Sequence, residues 1–165
     1  MFIRRPRSDE LPQLRVVETA AGACFADVGM VEIAHDDPPP LDLLDEHLRA
    51  GRLLVVGEPV AAYVMWSRVD GATHVDQVSV HPDHGRRGIG RRLLERVQAA
   101  TRLALTLTTF RDVPWNAPYY ARLGFEVVDA SAWGPELTAV VRHEATLGLD
   151  RWPRVVMRCE VVRSH

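Results

Sequence analysis

The sequence has few of the residues that would set it apart from an ordinary globular chain. It holds two cysteines, Cys24 and Cys159, neither of them in a CxxC pair. A disulfide framework or a cysteine-built zinc site would need more, so the pair reads as two buried free thiols in a reducing compartment. No apolar run approaches the ~20 residues of a membrane span. The opening MFIRRPRSDEL lacks an apolar stretch of signal-peptide length. The expectation is a cytoplasmic protein with no membrane partner. Gly-Lys-Ser/Thr is missing, which removes a Walker phosphate loop, and the lack of Gly-x-Ser-x-Gly removes the serine-hydrolase elbow. His81 and His84 form an HxxH with no further Cys or His at metal spacing, so no metal is expected.

What is present suits one domain over residues 1–165, with 47% hydrophobic and 25% charged residues. A net charge of -2 gives no general affinity for nucleic acid. The charge is unevenly placed, however. HDDPPPLDLLDEH, residues 35–47, is acidic, while HPDHGRRGIGRRLLERV, residues 81–97, is basic.

Periodicity orders the elements. Residues 2–5 read as a short strand. Residues 8–25 read as a helix with Leu11, Leu14, Val17 and Ala21 on one face and Ser8 or Asp9 as its cap. Pro38, Pro39 and Pro40 stop the chain in a loop, and 41–50 is a short amphipathic helix ended by Gly51. Strands follow at 52–56, 60–68 and 72–80, the last two joined by the hairpin signal Asp70-Gly71. A helix over 89–101 buries Ile89, Leu93, Val97 and Ala100. Residues 103–109 alternate as a strand. Asn116 caps a short helix ending at Gly124, and 125–129 and 154–161 are strands. Residues 130–150 give weak signals, read as loop with one helical turn. The order is α/β with a mixed sheet.

The basic stretch joins a strand to a helix start. A helix N-terminus leaves about four N–H groups unpaired and carries partial positive charge. Gly88 and Gly90 would let an anion reach those groups, since no Cβ intervenes. Arg86, Arg87, Arg91 and Arg92 add charge and bidentate donors suited to phosphate. The competing reading is a tight turn with a solvated arginine face. A dinucleotide fingerprint fits poorly, because its third glycine is Leu93 here and the preceding HVDQVSV alternates polar with apolar.

PDHGRRGIGRRLL, from Pro82, resembles motif A of the GCN5-related N-acetyltransferases (GNAT), usually written Q/R-x-x-G-x-G/A. YYARLGFEVV, Tyr119 to Val128, is similar to the family's tyrosine–x–x–leucine–glycine–phenylalanine segment. The resemblance implies a GNAT-like mixed, mostly antiparallel sheet flanked by helices, with two strands splayed at an acetyl-CoA slot. It implies that the pyrophosphate of acetyl-CoA sits on Arg86, Arg87, Gly88, Ile89, Gly90 and Arg91, and that the pantetheine arm pairs with the backbone of Val78, Ser79 and Val80. The sequence departs from the motif at its first position, which is Gly85, and at Arg86, where the family often has glycine.

The activity implied is transfer of an acetyl group to an amine by direct attack on the thioester. That chemistry needs a neutral amine, a stabilised oxyanion and a protonated leaving thiolate. The matching position makes Tyr120 the acid, with Tyr119 its decoy. The base is Asp76 or His74, on one face of the strand before motif A, directly or through water. For each, a cross-strand structural role is the plainer reading. A backbone N–H near Val80 would hold the oxyanion. Carboxylates at Asp36, Asp37, Asp42, Asp45 and Glu46 could draw a cationic amine, although a solvated acidic loop is the preferred reading. Trp66, Phe110 and Trp115 are candidate site walls or core. The family's usual asparagine falls at Val113, so Asn116 is left as a helix cap. The partner expected is a small-molecule or peptide amine, with a homodimer left open. Competing readings are a non-catalytic acyl-CoA sensor and a nucleic-acid-binding protein using the arginine loop.

Overall fold

The computed structural model describes residues 1–161. The chain packs as two compact units, one of residues 1–66 with 76–97, the other of residues 67–75 with 98 onward. Its strands form one seven-stranded sheet in the order β1-β2-β3-β4-β5-β7-β6. The fold is the expected α/β arrangement, a mixed and mostly antiparallel sheet flanked by helices.

In the first unit, β1 (Ile3–Arg4) pairs antiparallel with β2 (Leu53–Val56), and β2 with β3 (Ala62–Val69) through Leu53↔Met65 to Val56↔Ala62. Helix α1 (Leu11–Gly22) lies on these strands. Its Leu11, Leu14 and Val17 join Leu44, Leu53, Val55, Val60, Tyr63 and Met65 in one core cluster. The helix is shorter than its sequence pattern, because Ser8–Glu10 and Ala23–Val28 are 3-10 turns at its two ends. Neither Ser8 nor Asp9 supplies the cap. Glu10 is the N-cap residue of α1, and its carboxylate turns back to the 3-10 turn, accepting from the Arg7 backbone N–H at 2.8 Å. A single turn of helix, α2 (Val31–Ala34), follows where no element was expected. Helix α3 (Leu41–Arg49) is closed by Gly51 at φ 73°, with Arg52 N–H donating to His47 C=O at 2.8 Å.

Glu10 is 1% exposed and is matched by Arg4, whose two terminal nitrogens donate to its two oxygens at 2.8 and 2.7 Å. The same guanidinium donates to Gly57 C=O at 2.8 Å. One ion pair thus ties β1, the start of α1 and the β2–β3 turn. The hydrogen bond from Arg4 is the main cause that holds the Glu10 carboxyl down to about 2.

Strand β4 (Ala72–Val80) begins in the second unit, pairing parallel with β5 (Leu105–Phe110) at Thr73↔Leu105 and His74↔Thr106. Between them runs helix α4 (Ile89–Thr101). Its buried stripe is Ile89, Leu93 and Val97 widened by Leu94, while Ala100 is exposed on the last turn. A stripe broader than 100° takes in the neighbouring Leu94 before it reaches a fourth turn. After α5 (Ala117–Arg122) and β6 (Glu126–Val127) comes α6 (Pro135–Thr146), and then β7 (Arg154–Cys159) pairs antiparallel with both β5 and β6.

Helix α6 replaces the expected loop over 130–150. Its Leu137, Val140 and Val141 pack with Val69, Val128, Trp133 and Val156. Its cap is not local. The Asp70 carboxylate, from the β3–β4 turn, accepts from the N–H groups of Glu136 at 3.1 Å and Leu137 at 2.8 Å. Glu136 accepts in return from Asp70 N–H at 2.9 Å. Cys24 and Cys159 are free, and both are half-exposed rather than buried.

The Glu10 carboxyl lies below its usual 4.5 in the fold, so its contribution to stability is complete above about pH 4.5 and is lost as pH falls through about 2. Glu10→Gln leaves Arg4 unpaired and is expected to cost about 3 kcal/mol at neutral pH, read by urea unfolding. Asp70→Ala is expected to cost about 1 kcal/mol, with the loss concentrated in amide-exchange protection of the first turn of α6.

Candidate active site

The first unit carries the end of β4 and the glycine–arginine loop. Val78 and Val80 are half-buried and Ser79 is 6% exposed. The following His81 donates its backbone N–H to Ala61 C=O at 2.8 Å. Residues 85–88 are exposed, then Ile89 is 5% exposed and fixes the start of α4, with Gly90 half-buried. Gly88 has φ 71° and Arg86 has φ 62°. A non-glycine residue in that left-handed region is strained by roughly 1–2 kcal/mol. Arg86 therefore keeps the backbone shape of the glycine that the motif usually has there.

The four arginines are not equivalent. Arg91 pairs with Glu95 at 2.8 Å, and Arg92 donates to Met1 C=O at 3.0 Å. Arg86 and Arg87 are exposed and have no ion pair among the described residues. They are the two cations of the loop not already held by a neighbour.

Asp76 lies on β4 beside helix α3. Its Oδ2 is 3.0 Å from His47 Nε2, and His47 Nδ1 is 2.9 Å from Leu43 C=O, one turn back. The second contact fixes Nδ1 as the protonated nitrogen, so a neutral ring offers Nε2 as acceptor and a charged ring donates from it. The bond to Asp76 raises the His47 imidazole above its usual value, more than burial lowers it. No spacing rule singles out His47, although it sits one residue before Leu48 on the apolar side of α3.

Glu18 is the larger omission. It lies on α1 four residues after Leu14 and seven after Leu11, a slot on the apolar stripe taken by a carboxylate, and that was the available signal. Its Oε2 accepts from the Tyr63 hydroxyl at 2.9 Å and from the Ser79 hydroxyl, and its Oε1 accepts from Gln77 Nε2 at 3.0 Å. Burial pushes the carboxyl above the usual carboxylate range. The three hydrogen bonds oppose that push, and the charge of Asp36 adds to it. Asp36, Asp37, Asp42 and Glu46 are exposed, as a solvated acidic loop would be.

The second unit carries the other candidates. His74 is 3% exposed, with Nδ1 2.9 Å from the Thr106 hydroxyl. Tyr119 and Tyr120 are both half-buried on α5. The Tyr120 ring meets Phe125 edge-on with centroids 5.6 Å apart, whereas Tyr119 lies under Arg122 at 5.9 Å. Gly124, at φ 100°, ends this segment. Asn116 stands at the start of α5, but its side chain does not cap the helix. Its Oδ1 accepts from the Thr109 hydroxyl at 2.7 Å and joins α5 to the end of β5. Trp66 and Phe110 are buried, and Trp115 is 39% exposed. Among the described residues no group of three His, Cys, Asp or Glu is placed to hold a metal ion, and no helix is long and apolar enough to cross a membrane.

Residues 49–127 match the family model described as the acetyltransferase (GNAT) domain. Solved structures agree in fold. The Rv2747 protein of Mycobacterium tuberculosis, in complex with CoA, superposes with a TM-score of 0.67 at 17% identity, over 98% of this chain and 100% of that one. The ribosomal-protein-S18-alanine N-acetyltransferase of Escherichia coli gives 0.62 at 17% identity, over 99% and 96%. The PaiA N-acetyltransferase of Thermoplasma acidophilum, in complex with coenzyme A, gives 0.60 at 12% identity, over 96% and 98%.

His47 is held above its usual value, so the stability it draws from Asp76 is complete below about pH 6.5 and is lost as pH rises through its folded value. Asp76→Asn is expected to return the His47 titration toward about 6.5, followed by the pH dependence of its ring-proton NMR signals.

Proposed function

With residues 49–127 a GNAT acetyltransferase domain, we propose that the protein is an acetyl-CoA-dependent N-acetyltransferase, one domain over residues 1–165, acting by direct attack of an amine on the thioester. The observation that carries this reading is the loop ahead of α4. Arg86 and Gly88 both hold left-handed backbone there, and Arg86 and Arg87 stand exposed beside a helix start. Such a loop suits a pyrophosphate, which needs close N–H donors and uncommitted cations. Coenzyme A in the Rv2747 and PaiA structures supports the same ligand here.

In this reading Arg86, Arg87, Gly88, Ile89, Gly90 and Arg91 hold the phosphates. Val78, Ser79 and Val80 offer backbone to the pantetheine arm, and a backbone N–H near Val80 stabilises the oxyanion. Tyr120 protonates the departing thiolate. Its contact with Phe125 supports that choice over Tyr119, whose ring is engaged by Arg122. Asp76 and His74 are the β4 candidates for carrying the amine's proton, Asp76 with His47 behind it. The acceptor class is an amine of an amino acid, a peptide or a small molecule.

Calorimetric titration with acetyl-CoA is expected to show micromolar binding, and ADP is expected to bind more weakly for want of the pantetheine arm. Gly88→Trp should abolish that binding by filling the loop, and unchanged affinity would remove the phosphate assignment. Tyr120→Phe should lower kcat about 100-fold while leaving the acetyl-CoA affinity near that of the wild type. Tight acetyl-CoA binding with no CoA release across amines of all three kinds would favour a sensor over an enzyme.

A further inference from the structure

Helix α1 places a carboxylate against strand β4 on neutral donors. Tyr63 and Ser79 saturate one oxygen of Glu18, while the other accepts from Gln77 alone among the described residues. A carboxylate oxygen has room for a second donor. No arginine or histidine pairs with Glu18 among the described residues, in contrast to Glu10 at the N-cap of the same helix, which Arg4 grips with both nitrogens. Ser79, which holds Glu18, is also the middle residue of the strand segment assigned to the pantetheine arm.

We propose that Glu18 is the group that takes the proton from the acceptor's ammonium, a role that the family resemblance suggested for Asp76 or His74, directly or through water. This rests on the acetyltransferase reading. The geometry separates the three candidates. His74 is 3% exposed and bonded to Thr106, and the Asp76 carboxylate is joined to His47. Glu18 is half-buried, and the oxygen bonded to Gln77 still accepts. The charged or titratable groups that bear on it are Tyr63 from β3 and Asp36 from the loop before α3. Tyr63 is itself held well above its usual value, so it stays a donor throughout the working range. Asp36 adds negative charge, which favours a cationic acceptor and disfavours loss of the Glu18 proton.

The step balances as follows. R–NH3+ gives one proton to the Glu18 carboxylate. The freed lone pair forms the C–N bond at the thioester carbonyl carbon. The C–S bond breaks with its electron pair on sulfur, Tyr120 gives that sulfur a proton to form the CoA thiol, and the second N–H proton shed by the tetrahedral adduct restores the Tyr120 phenol. The Glu18 carboxylic acid returns its proton to water. The net products are an amide, CoA thiol and one proton.

The test is kcat at saturating acetyl-CoA, with spermidine and with an alanine-led tetrapeptide as acceptors, from about pH 5 to 9. At saturation kcat reports groups in the ternary complex rather than the free amine. Glu18→Gln is expected to lower kcat about 100-fold and to remove the decline on the acid side, while acetyl-CoA affinity stays within about twofold. Glu18→Asp should restore the acid-side decline at a reduced rate. Asp76→Asn should keep that decline whatever its rate. A Glu18→Gln enzyme within about threefold of wild type, with its acid limb intact, would overturn the proposal. So would an acid limb that disappears in Asp76→Asn and persists in Glu18→Gln. Loss of both acetyl-CoA binding and near-ultraviolet circular dichroism in Glu18→Gln and Glu18→Asp alike would make Glu18 a packing residue and overturn it too. If the wild type binds acetyl-CoA but acetylates neither of these amines nor any free amino acid, the transferase reading itself falls, and the Glu18 role with it.

Discussion

A carboxylate taken out of water must meet a cation or settle for neutral donors, and helix α1 has one of each kind, Glu10 at its N-cap and Glu18 along its length. Glu10 meets Arg4 and is held at about 2. Glu18, two turns along, meets two hydroxyls and an amide, and burial moves it the other way. The difference is whether a cation answers the loss of water. A bidentate guanidinium compensates for lost hydration and locks the charged form, whereas neutral donors compensate in part and leave the group able to change its proton. The packing of α1 on β2 and β3 makes both environments possible. Its apolar stripe closes a core around Tyr63 and Leu44 and turns the polar slot at Glu18 toward β4.

The glycine–arginine loop shows a related economy of means. A motif position that usually holds glycine holds arginine here, yet the backbone stays left-handed at φ 62°. Strain of this size persists where surrounding structure fixes the chain and the conformation has a use. Ile89 supplies the fixed point, buried at the start of α4. The side chain gained at Arg86 carries a charge that glycine could not.

Most elements were legible in the sequence because their signals are local. The α1 stripe, the Asp70-Gly71 turn and the Gly51 and Gly124 stops are read within a few residues. What escaped depends on distant partners. Helix α6 has a short Leu137, Val140, Val141 stripe, and its capping carboxylate lies in another turn of the chain. Asn116 stands where a cap belongs, but Thr109 claims its oxygen. His47 and Asp76 are read singly in sequence and gain meaning only as a pair 3.0 Å apart. Glu18 was visible as an interruption of an apolar stripe. Its donors come from β3 and β4, and no spacing rule joins those strands to the helix.

The reciprocal bonds between Asp70 and α6 link segments more than sixty residues apart. A helix whose first turn is capped from afar nucleates slowly by itself, since the chain around it offers no equivalent acceptor. During synthesis the Asp70 turn is made first, and a hairpin closes within microseconds. The acceptor for the first turn of α6 thus precedes the helix it caps by more than sixty residues in synthesis.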